Sequence, residues 1–219
     1  MKENLYISDI CCISNHRVVK NGNVIFETDK NREFGEFMKE TYKFKSISYP
    51  KFFKMDSLSK LGFLSAEILF EKEDPTDIAG ENTGIVLANS VSSLETDINY
   101  QKTIQNPADY FPSPSVFVYT LSNIVIGEIC IRHKINSESA FFVTEIPDTD
   151  FLHFYVSDLM QKQNLDKVLL GWIDYLENEY ISLFCLIKKS AVIEQKPFNA
   201  DSLKELFNKI EPHSYGRVN

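Results

Sequence analysis

The sequence is poor in cysteine, glycine and proline, with four, eight and eight among its 219 residues. Two of the cysteines, Cys11 and Cys12, are adjacent, and adjacent cysteines rarely bridge, so a disulfide scaffold is not expected. No run of about 18 apolar residues is present, which argues against a membrane span. The apolar stretch near the N-terminus is broken at Asp9 and no small-residue cleavage site follows it, so no secretion signal is predicted. These absences indicate a protein of the reducing cytoplasm.

Basic residues are outnumbered, with 23 Lys and Arg against 31 Asp and Glu and a net charge of −8. Nucleic-acid binding usually needs a basic surface, so a nucleic-acid partner is not expected. The histidines are scattered, at His16, His133, His153 and His213. None of them has a second ligand at metal-type spacing, so we expect no metal and no other cofactor.

Apolar runs and turn residues alternate along the chain. Strands are predicted at residues 5–13, 83–90, 139–145, 167–174 and 180–188. Helices are predicted at 57–70 and 116–130, after the Asp-Thr-Asp at 148–150, and from about 201 to Pro212. Residues 27–55 are charged and aromatic, which predicts a surface loop with one short helix. The alternation predicts an α/β fold whose mixed five-stranded sheet has helices on both faces.

Several short motifs follow one another in a fixed order: Lys54-Met-Asp56, Thr83-Gly-Ile-Val-Leu-Ala, Glu95-Thr-Asp, Phe111-Pro-Ser-Pro-Ser-Val-Phe117 and Asn123-Ile-Val-Ile-Gly127. This order resembles the N-terminal half of β-ketoacyl synthases, the condensing enzymes of fatty-acid and polyketide synthesis. The Ser-Pro-x-x-Phe segment and the Asn-x-x-x-Gly that follows it carry most of the resemblance. It covers most of residues 4–190, and it implies a thiolase-like half that forms a single domain over residues 1–219.

The resemblance also implies where a nucleophile should stand. Family members need a cysteine on a sharp turn from a strand into a helix, because the helix N-terminus lowers the pKa of the thiol. Counting on from Asn123 and Gly127 places that position at Ile146. Residues 143–150 contain no cysteine or serine, and Pro147 replaces a small residue. The two histidines that the family carries in a C-terminal half have no counterpart here either, so we expect a catalytically inactive homologue.

In the resembled family the Asn-x-x-x-Gly segment is a buried helix near the dimer interface, and the dimer forms through the strand before the nucleophile turn. Asn123 is therefore expected to be buried and to hydrogen-bond locally, and Gly127 to let backbones approach closely. The candidates for an interface or an acyl tunnel are Phe117, Tyr119, Leu121, Asn123, Ile124, Gly127, Phe141 and Val143. Plain packing in the core is the alternative for the apolar members.

Three functions follow from the sequence. The first is a non-catalytic accessory subunit, like a chain-length factor, that pairs with a full-length ketosynthase in a bacterial pathway such as aryl-polyene or flexirubin-type pigment synthesis. The second is a homodimeric module that binds acyl chains or acyl carrier protein through the basic clusters at 132–134 and 188–189. The third, a hydrolase with relocated chemistry, is disfavoured because Cys130 and Cys185 lie in apolar runs that raise the pKa of a thiol.

Overall fold

A mixed sheet forms the centre of the computed structural model, which describes residues 4–190, 196–208 and 210. Its strands are β1 (Asn4–Ser14), β2 (Arg17–Lys20), β3 (Asn23–Glu27), β4 (Thr83–Asn89), β5 (Ser139–Val143), β6 (Lys167–Leu176) and β7 (Glu179–Ser190). They lie in the order β3-β2-β1-β7-β6-β4-β5. β4 pairs in parallel with both β5 and β6, and the other pairs are antiparallel. β5 is therefore an edge strand.

Helices cover both faces of this sheet, as the sequence predicts. The α-helices within the described residues are α1 (Phe34–Phe44), α2 (Ser57–Phe70), α3 (Pro75–Ile78), α4 (Leu94–Ile104), α5 (Pro114–Phe117), α6 (Ile124–His133), α7 (Thr149–Lys162) and α8 (Ala200–Phe207). Short 3-10 helices lie at Pro50–Lys54, Pro107–Asp109 and Val118–Thr120. One core lies between the sheet and α1, α2 and α6, and a second between the sheet and α7 and α8.

The predicted helix α2 is confirmed, and local chemistry explains both its start and its packing. Asp56 caps it, because the carboxylate accepts a hydrogen bond from Ser59 N at 2.9 Å. A side chain at Gly62 would collide with Val125 of α6 and Ile173 of β6, so the missing Cβ lets α2 pack closely against both.

The predicted five strands are all present, but the sheet has two more. β2 and β3 follow β1 as an antiparallel meander, with a turn at Asn21 and Gly22 between β2 and β3. Both strands are short and carry exposed polar residues, so their apolar pattern is too weak to predict them.

The prediction of a surface loop with one short helix over residues 27–55 is confirmed in part: α1 is the helix, but α1 and the 3-10 helix after it pack into the core. α1 buries Phe37 and Met38 completely, and the following 3-10 helix buries Phe52. These aromatic and sulfur side chains recur at helical spacing, but the lysines and glutamates between them mask the stripe.

The predicted buried helix at 116–130 is also wrong, because the segment breaks into α5, a 3-10 turn and α6, with a bend of 100° between the two halves. Ser93 Oγ donates to Thr120 O at 2.7 Å, and Thr120 Oγ1 donates to Phe117 O at 2.7 Å. These side chains satisfy carbonyls that a continuing helix would use, so the first half ends there. No single helix of the described residues is long and apolar enough to cross a membrane; only the two bent halves together reach that length and composition.

The last helix begins slightly earlier than predicted. Asn199 caps α8 by accepting from Ser202 N at 2.8 Å, whereas Asp201 or Ser202 was the predicted cap. Pro212, the predicted end of this helix, lies outside the described residues.

Candidate functional site

The turn from β5 into α7 holds the predicted nucleophile position. Ile146 lies in this turn and is 57% exposed. Thr144 fixes the turn, because its N donates to Asn89 O at 2.9 Å and its Oγ1 donates to Ile146 O at 3.0 Å. Asp148 caps α7 by accepting from Phe151 N at 3.0 Å. The chain thus has a strand, a tight turn and a helix N-terminus, with Ile146 at the position predicted for a nucleophile.

The four cysteines lie far along the chain from this turn, on β1, α6 and β7. Burial raises the pKa of Cys130 to about 11 and that of Cys185 to about 12. Burial also raises the pKa of Cys11, well above its usual range. A thiol with such a pKa is protonated at neutral pH, so these cysteines lack the thiolate that nucleophilic catalysis needs.

The histidines of the described residues have other partners. His16 Nε2 lies 2.8 Å from Arg32 O, and His133 Nε2 lies 2.9 Å from Glu67 Oε1. His153 packs against the ring of Phe198. His213 lies outside the described residues. Within the described part of the chain, no three His, Cys, Asp or Glu side chains converge as a metal site would require.

A cleft of about 380 Å³ opens beside the turn. Its floor is formed by Ser90, Trp172 and Asp174, at the carboxyl ends of β4 and β6, and α8 covers it with Lys204 and Phe207. Asp174 is 1% exposed. Ile146 and Pro147 of the turn line this cleft.

A second candidate is an apolar surface around α5. It consists of exposed side chains, each 45% to 77% accessible: Tyr110, Phe111, Phe117, Val118 and Leu121. We call it the α5 surface. The end of β4 connects it to the edge strand, because Ser93 bonds to Thr120 and Asn89 bonds to Thr144. An exposed apolar surface of this kind is typical of a site for protein interaction.

Solved structures with the same fold are ketosynthases and their relatives. The ishigamide ketosynthase/chain length factor aligns with a TM-score of 0.62 and 15% identity, over 89% of this chain and 64% of that chain. The complex of the ketosynthase ApeO with its chain length factor ApeC from Xenorhabdus doucetiae contains a chain that aligns with a TM-score of 0.58 and 15% identity. This alignment covers 94% of the present chain and 91% of the chain in the complex. The fold is that of the ketosynthases.

A third structure with this fold, AntDE:AntF, holds a type II PKS acyl carrier protein in complex with its ketosynthase, and aligns at a TM-score of 0.60 and 12% identity. The alignment includes 86% of this chain and 64% of the Ant chain. This chain therefore spans less than two thirds of the length of the ishigamide and Ant chains. No family profile and no curated protein matches the sequence. These alignments confirm the predicted α/β fold, with a mixed sheet of the ketosynthase type.

The predicted interface residues divide into two groups in this ketosynthase fold. Phe117, Leu121 and Val143 are 53%, 55% and 52% exposed, so they are free to contact another protein. Tyr119 is buried in the core, and Ile124 and Phe141 are partly buried against the same core. Core packing, the alternative explanation, therefore applies to the second group.

Two expectations for the Asn-x-x-x-Gly segment are wrong. Asn123 is exposed, and its side chain does not cap α6; its backbone carbonyl accepts instead from Ile126 N and Gly127 N. An added Cβ at Gly127 would lie 3.9 Å from Ile124 Cδ1, which is an ordinary contact. The close approach that was expected at Gly127 occurs at Gly62.

Two of the sequence motifs meet through a buried carboxylate. Asp56, from the Met-Asp motif, accepts a hydrogen bond from Thr96 Oγ1 at 2.8 Å, and Thr96 belongs to the Glu-Thr-Asp motif. Burial raises the pKa of Asp56. The contact holds α4 against the start of α2, so these motifs serve the fold of this chain.

A buried polar group under the α5 surface was not predicted. Glu128 of α6 accepts from Tyr119 OH at 3.0 Å and pairs with Lys51 Nζ at 2.8 Å. Burial raises the pKa of Tyr119, and the neighbouring Glu128 adds to the effect. A glutamate inside an apolar helix was the only sequence signal for this group.

The predicted basic clusters are largely neutralised. Arg132 and His133 both bind Glu67, at 2.9 Å each. Burial acts to raise the pKa of Glu67, but the hydrogen bonds from these two residues outweigh it and lower the pKa. Lys188 pairs with Glu73, which also binds Lys167 at 2.8 Å. Arg132, His133 and Lys188 of these clusters therefore already bind carboxylates of this chain.

Proposed function

We propose that this chain is a non-catalytic, ketosynthase-like accessory subunit that pairs with an active ketosynthase, in the manner of a chain length factor. The observation that carries this proposal is Ile146, an apolar residue in the turn where condensation requires a thiolate. Two of the structures with this fold are described as a ketosynthase with a chain length factor. Because the shared identity is 15%, they support the fold directly and the role by analogy.

Two exposed surfaces support pairing with another protein, the edge of β5 and the α5 surface. β5 presents an unpaired strand edge, and such an edge is a template for pairing with another chain. Val143 is exposed on this strand, and the α5 surface lies beyond the same end of the sheet. Stable protein complexes usually bury about 1,200–2,000 Å² in total, so a partner would cover both features at once. Phe117 and Leu121 would then contact the partner and help to shape its acyl tunnel.

The pathway belongs to the same proposal. Aryl-polyene or flexirubin-type pigment synthesis is favoured, because this chain covers 91% of one chain in the ApeO–ApeC complex and the two therefore have similar lengths. A full-length ketosynthase and an acyl carrier protein would be the companions of this chain in such a pathway.

Co-expression tests the pairing. The chain is produced together with a full-length ketosynthase from the same organism, and light scattering after affinity purification should give a one-to-one complex. Val143→Asp and Leu121→Glu should abolish the complex, because each buries a charge at the interface. Phe154→Glu is the matched control, since Phe154 is 67% exposed on α7, away from the α5 surface. The proposal is contradicted if the unmodified chain forms no complex with the ketosynthase, or if Phe154→Glu abolishes the complex as fully as Val143→Asp and Leu121→Glu do.

A homodimeric module that binds acyl chains or acyl carrier protein is the second candidate. The β5 edge favours it, because two copies of one strand edge can pair with each other. The internal pairing of Arg132 and Lys188 weakens it, since an acidic carrier protein needs available positive charge. A stable dimer of the chain alone that binds acyl carrier protein would favour this candidate.

A further inference from the structure

The floor of the cleft beside Ile146 holds a buried carboxylate with no cationic partner. Asp174 Oδ1 accepts from Ser90 N at 2.9 Å, and Oδ2 accepts from Ser90 Oγ at 2.9 Å and Trp172 Nε1 at 2.8 Å. All three donors are neutral, and among the described residues Asp174 forms no ion pair. A carboxylate offers about four acceptor positions, so one position on Oδ1 remains.

The walls of the cleft suit the apolar part of a small molecule. Ile146 and Pro147 line the side next to the turn, Trp172 lies on the floor, and Phe207 on the cover. Aromatic rings attract organic cations through their π faces. The volume of about 380 Å³ falls in the range of small-molecule sites.

The charges around the cleft favour a cation over an anion. Among the described residues that line it, two carboxylates, those of Asp174 and Glu145, stand against the ammonium group of Lys204. Glu145 and Lys204 are exposed at the rim, where water screens them, whereas Asp174 is buried and its field acts at short range.

We propose that this cleft binds a small organic amine whose ammonium group donates to Asp174 and whose apolar body contacts Trp172 and Phe207. The ammonium group would supply the positive charge that the buried carboxylate lacks. This site is independent of pairing with a ketosynthase, so either proposal can fail without the other.

Trp172 is the one tryptophan of the sequence, and it makes the site directly observable. Its fluorescence is followed while the unmodified protein is titrated with phenethylamine, phenethyl alcohol and phenylacetate, three probes of similar shape and different charge. The amine should bind at least tenfold more tightly than the alcohol, a difference of about 1.4 kcal/mol. Equal binding of amine and alcohol, a preference for phenylacetate, or no saturable change with any probe overturns the proposal.

Two substitutions locate the charge. Asp174→Asn keeps an acceptor oxygen for its neighbours but removes the charge, so amine affinity should fall at least tenfold; Asp158→Asn, on the exposed part of α7, is the matched control and should change nothing. Lys204→Gln should raise amine affinity, because it removes a like charge from the rim. Unchanged affinity in Asp174→Asn, or weaker amine binding in Lys204→Gln, contradicts the proposal. If Asp174→Asn does not fold, the affinities of the three probes for the unmodified protein and the affinity of the amine for Lys204→Gln still test the proposal.

Discussion

Replacing Asp56 by alanine tests whether the Met-Asp motif acts through the fold. The carboxylate caps α2 through Ser59 N at 2.9 Å and holds α4 through Thr96 Oγ1 at 2.8 Å. Loss of an N-cap costs about 0.5–2 kcal/mol, and a buried hydroxyl left without its acceptor costs about 1–3 kcal/mol. We therefore expect Asp56→Ala to lower the free energy of unfolding by about 2–4 kcal/mol.

Asparagine at the same position separates the cap from the charge. Burial raises the pKa of Asp56 above the ordinary value of 3.8, so the folded chain favours the protonated form. The part of the stability that depends on protonation of this carboxyl is fully present below pH 3.8 and is lost as the pH rises through its folded pKa, while the hydrogen bonds from Ser59 and Thr96 are still accepted by the ionised form. Asp56→Asn keeps an acceptor oxygen for the cap and carries no charge. It should therefore lower the free energy of unfolding only slightly at neutral pH, and it should remove the decrease in stability with rising pH.

Urea unfolding followed by circular dichroism measures both variants. Asp158→Ala is the control, because its exposed carboxylate pairs only with Lys162 one turn away, at 2.9 Å, and such pairs contribute about 0.3–0.5 kcal/mol. If Asp56→Ala and Asp158→Ala lose the same free energy of unfolding, the role assigned to the Asp56 carboxylate is refuted.

Two glycines and one carboxylate give further tests by urea and acid unfolding. Gly62→Ala should lower the free energy of unfolding by about 1–3 kcal/mol, because the new Cβ collides with Val125. Gly127→Ala should instead raise it by about 0.5–1 kcal/mol, since α6 has room there; equal effects of the two changes would contradict this packing. Glu67 has a lowered pKa, because hydrogen bonds from α6 outweigh burial, so its contribution is present above pH 4.5 and is lost as the pH falls through its folded pKa. Glu67→Gln should abolish that acid-dependent loss, and an unchanged acid transition would argue against it.

The five principal strands could be predicted because each is a continuous apolar run rich in β-branched or aromatic residues. β4 is the clearest case, since its seven residues are all buried and its neighbours on both sides are parallel. β2 and β3 were missed, and α1 was predicted only as one short helix without bounds, because charged residues interrupt their apolar pattern. Local patterning is a weak signal for short or half-exposed elements.

The broken helix and the cleft depend on contacts that a linear pattern does not contain. The bend lies at residues 120–123, between two apolar segments, and the bond from Ser93 that accompanies the break comes from another part of the chain. Asp174 likewise gains its environment from Ser90, which is 84 residues away. The place of Ile146 at the nucleophile position, which comes from counting on from one motif, stays a prediction.

Intact-mass spectrometry of the co-purified complex tests the central claim most directly. The complex is incubated with an acyl carrier protein that bears a thioester-linked acyl group, and both subunits are then weighed. The expected result is an acyl adduct on the ketosynthase, with the mass of this chain unchanged, because Ile146 offers no nucleophile. A covalent acyl adduct on this chain would contradict the account.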